Sequence, residues 1–398
     1  MLTALKAVPK PRSADPAGIY AWQQSVIADG DIDPANQLAQ VSGDGFPLVK
    51  LPHSGQTVRI DKYPVGWSLT MLPFTGAAKL IRLALGISEP VSLPAGYAPP
   101  YAYVVWGVIT VLGALSFALL YRLLTRFFDP DVSAIASVSA FIGSAALAYF
   151  WKEPYLSHAV AAFWLTVAFF ATAKYIETAR LGWLVLTSAA CGMLALTRSL
   201  DLLLALPILG WIVCRPPKRG WRLAFDLGVG AVIGIAFVSL QGVVNAHLYG
   251  KFFFNAYAAN GEAFSGSLRN LLPFLAGKNH GVFLWHPVLV LAVLGLLLLA
   301  WKDGRAELRV VAVLSGIAVV LTVLTYTFWW CWWLGDSYGA RWTADLLPIW
   351  ALGIAAWISR TQRSAEKPLY SLIYLVPLVS VTLGTLILQV IGRLPLSY

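Results

Sequence analysis

The chain has 398 residues, of which 58% are hydrophobic and only 12% are charged. Soluble globular proteins carry about 25% charged residues, so this composition excludes an ordinary soluble protein. The net charge of +10 does not indicate nucleic-acid binding, because Lys and Arg are spread between apolar segments instead of forming one basic patch. We therefore expect an all-α polytopic membrane protein with no nucleic-acid partner. The three cysteines form no C-x-x-C pair, so redox chemistry is not predicted.

The chain opens with a polar head, residues 1–64, which we expect to be a polar loop. The head holds six of the 19 acidic residues: Asp15, Asp29, Asp31, Asp33, Asp44 and Asp61. Residues 1–14 contain no continuous apolar core, so they are not a signal peptide.

Residues 65–100 form a second segment between the head and the apolar part. The stretch 65–86 is apolar but is interrupted by Pro73, Gly76, Lys79 and Arg82. Such a segment is typical of a juxtamembrane helix that lies at the membrane interface. The Pro- and Gly-rich connector 88–100 cannot continue a helix.

Residues 101–398 contain about ten apolar runs, most of them near the roughly 20 residues that a membrane-spanning helix needs. The candidate spans are 101–124, 132–151, 156–176, 181–197, 201–214, 222–246, 284–301, 308–328, 342–358 and 369–391.

The loops between these spans carry unequal charge. One alternating set holds 14 basic residues: Arg122, Arg126, Lys174, Arg180, Arg215, Lys218, Arg219, Arg222, Lys302, Arg305, Arg309, Arg360, Arg363 and Lys367. The other set holds seven: Lys152, Arg198, Lys251, Arg269, Lys278, Arg341 and Arg393. The positive-inside rule places the first set in the cytoplasm. The head, the loop 247–283 and the short turns near Glu153, Arg198 and Asp336 then face outward.

An outward head needs a preceding span to carry it across the membrane. None stands before it, so we expect a first helix that is missing from the chain as written, or another means of translocation.

The acidic cluster Asp29-Gly30-Asp31-Ile32-Asp33 has two interpretations. Two carboxylates one residue apart can hold a divalent cation through oxygen ligands. The commoner explanation is an Asp/Gly turn whose side chains cap their own backbone. Asp29 and Asp31 are the candidate metal ligands, and a divalent cofactor stays open.

Other polar residues of the outward face also have two interpretations each. Lys62, beside Tyr63, can meet a lipid phosphate or reach the headgroups as a snorkelling side chain. Glu153 is a candidate functional acid near membrane depth, whereas His158 in the next helix can be structural.

Two arginines lie at later outward turns. Arg198 and Asp201, three residues apart, favour a structural ion pair. Arg341 opens a span, where a bound phosphate or Asp336 is its natural partner. The four tryptophans that precede it are typical of an interfacial aromatic belt.

The motifs resemble a known group of enzymes. In order they are DGDID, DKYPVG, WKEPYLSH, LALTRS, KNHGVFLWHP and WW-x-WWLGDSYGAR. Together they resemble the GT-C superfamily of integral-membrane glycosyltransferases over roughly residues 15–358. Within it they are similar to the protein mannosyltransferases and the Rgt-type bacterial transferases. The departure from the pattern is the absent first span.

The resemblance implies an inverting transfer of a sugar from a polyprenyl-phosphate donor to a glycan, lipid or protein acceptor. It implies a GT-C-like fold in a bacterial inner membrane, with the site facing the periplasm. By this resemblance Asp15 and Glu153 match acidic catalytic positions, and Lys62, Arg198 and Arg341 are candidates for the donor phosphate. Tyr63, His158 and Asp336 are further candidates. A transporter or lipid flippase, or a non-catalytic family member, is the alternative.

Overall fold

The described part of the chain sets the limits of the fold. The computed structural model describes residues 14–40, 46, 48–51, 54–87, 101–335, 337–363 and 383–384. The connector 88–100, Asp336 and nearly all of the predicted last span, 369–391, lie outside these residues.

The described residues of the head form helices and strands, where the sequence analysis expected a polar loop. Its elements are α1 (Ala14–Gln24), a continuing π-helical turn (Ser25–Asp29), α2 (Ala35–Ala39), and the antiparallel strands β1 (Leu48–Lys50) and β2 (Thr57–Arg59). Every residue of α1 from Pro16 onward is buried. The reason is composition, because Ile19, Tyr20 and Trp22 give this helix a large apolar surface that packs against the helix that follows.

That helix is α3 (Gly66–Ala84), which continues through Pro73 as a single element. Its outer part exposes large apolar side chains, among them Phe74, Leu80 and Leu83. Lys79 Nζ donates a hydrogen bond to the Ile27 carbonyl of the head. An exposed apolar face beside basic residues suits a helix that lies at the membrane interface. The interfacial location of α3 stays a prediction.

The apolar part is an array of helices with short connections. The helices of the array are α4 (Tyr101–Leu124), α5 (Pro130–Gly143), α6 (Ala146–Trp151), α7 (Ser157–Thr178), α8 (Leu181–Thr197), α9 (Leu206–Cys214), α10 (Trp221–Tyr249), α14 (Val288–Lys302), α15 (Ala306–Phe328) and α16 (Leu347–Arg363). Short helices α11 (Ala256–Ala259), α12 (Leu271–Ala276) and α13 (Val282–Trp285) lie in the predicted outer loop. Turns of 3₁₀-helix cover Ser199–Ala205, Leu268–Asn270 and Arg341–Ala344.

The first nine predicted spans all correspond to helical structure, but their lengths differ. In the described residues, four helices are long and apolar enough to cross a membrane, namely α4, α7, α10 and α15. Five further apolar helices among those residues have 10 to 17 residues each. A helical membrane protein is therefore supported, and the number of ten spans is not confirmed.

The predicted span 132–151 is two helices, α5 and α6, with a break at Ser144. Ser144 is extended. At the break, side chains replace helical backbone partners: the Ala145 N–H donates to Thr343 Oγ1 at 3.2 Å, and the Ala146 N–H donates to Ser144 Oγ at 3.2 Å. A break in an apolar run is tolerated because these polar groups satisfy the freed backbone.

The centre of the array is α7, which packs against α4 and α8. Its buried face is rich in alanine: Ala159, Ala161, Ala162, Ala168, Ala171 and Ala173. Small residues let helix backbones approach closely where no hydrophobic force acts between helices in lipid. By contrast, α10 is peripheral and exposes Val232 and Ile235.

The two ends of the helix array carry different sets of polar residues. The loops that the charge count assigns to the cytoplasm meet at one end, where Arg126 pairs with Glu177 and the Tyr175 hydroxyl donates to Asp226 Oδ2 at 2.7 Å. The predicted outward residues gather at the opposite end.

Candidate functional site

Asp15 lies at the centre of a polar group at the end where the predicted outward residues gather. Arg341 Nη1 donates to Asp15 Oδ2 at 2.7 Å, and the Tyr63 hydroxyl donates to Asp15 Oδ1. The Asp15 side chain is 31% exposed and the Arg341 side chain 23% exposed. Both oxygens of the carboxylate are therefore held, yet the pair stays within reach of a ligand.

The position of Asp15 depends on close packing between α1 and the segment before α3. A Cβ on Gly18 would lie 2.5 Å from Tyr63 Cδ2, so only glycine allows this approach. Trp22 Nε1 donates to the Tyr63 carbonyl at 3.0 Å, and the Tyr63 N–H donates to Asp61 Oδ1 at 2.9 Å. Tyr63 is thus anchored at both ends of its backbone, and its hydroxyl points to Asp15.

Arg341 is positioned by a tight turn against the loop before α14. Gly339 has φ +54°, and a Cβ there would lie 2.5 Å from His286 Nε2. This left-handed conformation and the close approach both require glycine. Arg341 then begins a 3₁₀ turn that leads into α16. Its carboxylate partner is Asp15, whereas the alternative partner considered from the sequence, Asp336, lies outside the described residues.

Lys62 is ion-paired with Glu262 of the outer loop. Glu262 also accepts hydrogen bonds from Trp330 Nε1 at 3.0 Å and from Asn260 Nδ2 at 3.2 Å. Lys62 is still near enough to Asp15 to act on it electrostatically. The structure thus places this cation at the edge of the site, with a carboxylate partner of its own.

A second, more deeply buried group lies between α7, α8, α15 and α16, with Arg198 at its centre. Arg198 Nε lies 3.0 Å from Asp345 Oδ2 and 3.3 Å from Asp201 Oδ2. The guanidinium also donates to Ser157 Oγ at 3.1 Å and to the Tyr326 hydroxyl. The ion pair with Asp201 that the sequence favours is present, as one part of a larger network.

His158 joins the same network from the first turn of α7. Its Nδ1 lies 2.8 Å from Asp345 Oδ1, and its Nε2 lies 3.4 Å from Arg198 Nη1. His158 is 1% exposed and Asp345 is fully buried. The structural interpretation of His158 fits this geometry, since the imidazole is held between the Asp345 carboxylate and the Arg198 guanidinium.

Tyr257 of the outer loop connects the two groups. Its phenol lies near enough to Asp15, Arg198 and Tyr326 to interact with each of them electrostatically. Tyr257 was not predicted as a site residue, because the sequence indicates only that its loop is polar and outward-facing. Arg341 likewise interacts electrostatically with His158 and Asp345, so the two groups lie close to each other.

Glu153 lies at the rim of this region. The turn that carries it follows α6, where the Leu156 N–H donates to the Glu153 carbonyl at 3.2 Å. Glu153 and Arg341 both act electrostatically on Tyr149, whose hydroxyl donates to the Tyr338 carbonyl at 3.2 Å. Asp15, Arg341 and Glu153 therefore lie at the same end of the molecule.

Asp29 and Asp31 hydrogen-bond within the head. Asp29 Oδ2 accepts from Asn36 Nδ2 at 2.7 Å and from Gln37, and Asp31 Oδ1 accepts from Ser25 Oγ and from the Asp33 N–H. Among the described residues, no group of three or more His, Cys, Asp or Glu side chains is arranged to hold a metal ion. The geometry favours the turn interpretation of this cluster.

The ionisation of Asp15 reflects opposing influences. Burial disfavours the carboxylate, but the charge of Arg341 and the hydrogen bonds from Tyr63 and Arg341 outweigh it and lower the pKa of Asp15 from 3.8 to about 2. Asp15 is therefore a charged, weakly basic carboxylate while Arg341 holds it.

This pKa predicts how Asp15 contributes to stability at different pH values. Because the folded-state pKa lies below the unfolded value of 3.8, the contribution is complete above that value and is lost as the pH falls toward about 2. We expect the difference in melting temperature between the wild type and Asp15→Asn to be constant from about pH 5 to 8 and to shrink below about pH 4. Thermal unfolding in detergent across this range measures it. A difference that grows on acidification would contradict the assigned pairing.

The site and fold define a helical membrane protein with a polar, mixed-charge region at one end of its apolar helices. Searches of protein-family models and of curated proteins found no match. Among solved structures, the chain is similar to crystal structures of ArnT from Cupriavidus metallidurans. The apo structure has a TM-score of 0.47 and 17% identity over 96% of this chain and 68% of that one. The structure bound to undecaprenyl phosphate has a TM-score of 0.48 and 16% identity over 98% and 69%.

ArnT is a GT-C glycosyltransferase, the superfamily that the sequence motifs resemble. Both TM-scores are below 0.5, so the likeness assigns no residue role and no substrate to this chain.

Proposed function

We propose that this protein is a membrane glycosyltransferase that moves a sugar from a polyprenyl-phosphate-linked donor to a hydroxyl of a glycan, lipid or protein acceptor. The observation that carries the proposal is the 2.7 Å contact between Asp15 and Arg341 at one end of the apolar helices. It sets a carboxylate that can accept a proton beside a guanidinium that can bind a phosphate.

The chemistry needs both groups. A sugar hydroxyl is a poor nucleophile, and a positioned carboxylate that takes its proton contributes typically 10²–10⁴-fold to the rate. The acceptor oxygen bonds to the anomeric carbon while the bond from that carbon to the phosphate oxygen breaks. The electron pair leaves with the lipid phosphate, the proton passes to Asp15, and a single displacement inverts the anomeric centre. A cation held at the phosphate stabilises the charge that develops there.

Donor binding and base strength are linked through Arg341. A guanidinium binds phosphate through the same N–H groups that it offers to a carboxylate. A donor phosphate therefore competes with Asp15 for Arg341. Burial is the largest single influence on the Asp15 carboxyl and opposes ionisation, so partial loss of Arg341 raises its pKa and makes it a stronger base.

The remaining cations have secondary roles in this proposal. Lys62 reaches the donor phosphate once it leaves Glu262. Arg198 is held by Asp345 and Asp201, which offset its charge, so in this proposal it fixes the buried side of the site and does not bind the phosphate. Glu153 at the rim is the alternative base. The site faces the periplasm of a bacterial inner membrane, in accordance with the loop charges.

The transporter and flippase alternatives differ in where they need charge. Substrate sites of secondary transporters lie near the bilayer midplane between broken helices. Asp15 and Arg341 lie at or beyond helix ends, which favours an enzyme acting at a membrane face.

The test uses the purified full chain in nanodiscs with radiolabelled polyprenyl-phosphate sugars. Transfer of label from the lipid to a glycan, lipid or protein acceptor supports the proposal. Label that crosses the bilayer on intact lipid indicates a flippase, and label that stays on the lipid without crossing indicates a non-catalytic protein.

Arg341→Ala tests the phosphate contact. A hydrogen bond to a charged group is worth roughly 1.5–3 kcal/mol, so we expect donor affinity to weaken by about tenfold or more, together with a lower rate. Equilibrium binding of the labelled donor and its turnover measure the two effects. Arg269→Ala, which removes an exposed arginine of the outer loop 247–283, is the matched control. Equal donor affinity in both variants would remove Arg341 from the phosphate site.

A further inference from the structure

Three large apolar side chains are exposed together on the outer loop. Phe264 is 65% exposed, Leu268 62% and Leu272 73%. Leu268 and Leu272, four positions apart, lie on one face of the helical stretch that a 3₁₀ turn and α12 form. Apolar surface of this extent is costly to leave in water, and a cluster of it marks a contact with a membrane or with another protein.

The backbone that carries this apolar cluster is fastened to the end of α15. The Gly266 N–H donates to the Phe328 carbonyl at 2.8 Å, and Asn270 Nδ2 donates to the Thr327 carbonyl at 3.3 Å. A Cβ on Gly266 would lie 2.5 Å from the Thr327 carbonyl oxygen, so this close approach requires glycine. The position of the apolar cluster along α15 is therefore fixed.

An exposed apolar stripe of α15 ends beside the cluster. Val313, Ile317 and Val320 are exposed along one face of the helix, and Phe328 is exposed at its end. α15 is long and apolar enough to cross a membrane. Its 23 residues extend over about 34 Å, whereas the hydrocarbon core of a bilayer is roughly 30 Å thick. Phe328 therefore lies at the boundary of the hydrocarbon, and the apolar cluster lies beside it.

The residues around the cluster fit a bilayer better than a protein partner. Residues 263–280 contain no acidic residue, so no carboxylate in this part of the loop repels anionic lipid headgroups. Trp330 and Trp333 are exposed just beyond the end of α15, and tryptophan is enriched where a protein crosses the boundary between membrane and water. The apolar cluster continues the stripe of α15 at this boundary.

The cluster is also connected to the candidate site. Phe264 packs edge-on against Trp329, and Trp329 packs edge-on against Tyr257. Tyr257 in turn lies near enough to Asp15 to interact with it electrostatically. One aromatic side chain, Trp329, thus lies between the exposed cluster and the polar region.

We propose that Phe264, Leu268 and Leu272 insert into the membrane leaflet on the Asp15 side and anchor the outer loop to the bilayer. The anchor holds the part of the loop that carries Tyr257 at a fixed height over the site. The insertion follows from exposure and from the attachment to α15, so its test does not require sugar transfer.

The test is spin labelling of the full chain in nanodiscs. Labels are attached through Leu268→Cys or Leu272→Cys, in a background in which alanine replaces the native cysteines Cys191, Cys214 and Cys331. Molecular oxygen concentrates in the bilayer and a nickel chelate stays in water, so the ratio of their collision rates with the label measures insertion.

Two reference labels define the scale of this ratio. Val232→Cys lies on the exposed face of the membrane helix α10, and Ser54→Cys lies at an exposed polar position between β1 and β2. We expect the labels at Leu268 and Leu272 to give ratios close to that of Val232→Cys and well above that of Ser54→Cys.

Hydroxyl-radical footprinting of the wild-type chain in nanodiscs checks the insertion without any substitution. Phe264 and Leu272 are expected to be oxidised less than Ile32, which belongs to the acidic turn of the head. In the structure Ile32 is the least exposed of the three side chains, at 39%. Greater protection of Phe264 and Leu272 would therefore come from the bilayer and not from the fold.

Three results would overturn the proposal. Labels at Leu268 and Leu272 that collide with nickel as often as the Ser54→Cys label would place the loop in water. Labels shielded from both oxygen and nickel would indicate a protein partner, and dipolar broadening between them would identify that partner as a second copy of this chain. Oxidation of Phe264 and Leu272 above that of Ile32 would contradict insertion in the wild-type chain.

Discussion

Asp15→Asn is expected to lower turnover by about two orders of magnitude or more while donor binding is largely retained. Asparagine keeps the shape of the side chain and can still accept a hydrogen bond from Arg341, but it cannot take the proton of the acceptor hydroxyl. The two quantities are measured separately, as single-turnover transfer at saturating donor and as equilibrium binding of the labelled donor.

Asp29→Asn is the matched control, because Asp29 is an acid of the same head whose carboxylate hydrogen-bonds locally to Asn36 and Gln37. We expect near wild-type turnover from it. If Asp15→Asn turns over normally, Asp15 is not the base and Glu153 becomes the next residue to test. If Asp29→Asn loses activity that added divalent cation restores, the metal interpretation of the acidic cluster is correct.

Asp345→Ala is expected to have the largest effect on stability. The variant leaves Arg198 and His158 without the carboxylate that both contact. Breaking a buried ion pair by removing one partner costs about 3–5 kcal/mol, since the other charge stays buried without compensation. The remaining contact between Arg198 and Asp201 places the expected loss near the lower end of that range. Thermal and denaturant unfolding in detergent measure it.

Glu177→Ala provides the comparison for this prediction. Glu177 pairs with Arg126 at the basic end and its side chain is 42% exposed, so its removal is expected to cost no more than about 1 kcal/mol. Equal losses in the two variants would show that Asp345 does not hold the network together. Asp345→Asn, which keeps a hydrogen-bond acceptor for both partners, is expected to lie between them.

The sequence alone determined the class of protein and most helix positions. The predicted spans 101–124 and 181–197 coincide with α4 and α8, because apolar composition along one segment is a local property that decides where a helix meets lipid. The sequence also predicted that Asp15, Arg198, Arg341 and Glu153 gather at one end of the helices. The loop charges group these residues on one side of the alternating helices, which is why the sequence could predict it.

The tertiary structure decided everything that depends on distant partners. Arg341 pairs with Asp15 across 326 positions of sequence, and Lys62 pairs with Glu262 across 200. No local pattern encodes such contacts, and the outer-loop residues Tyr257 and Glu262 were not predicted as site residues for the same reason.

The two elements that differ from the sequence prediction also depend on contacts with distant residues. The predicted span 132–151 breaks at Ser144 because Thr343, 198 positions after Ala145, accepts the hydrogen bond of the Ala145 N–H. In the head, α1 forms a packed helix because α3 offers an apolar surface for it to cover. The sequence determined which segments enter the apolar phase, since that depends on composition. The tertiary structure decided which polar groups meet, since a buried charge takes whichever partner packing brings near it.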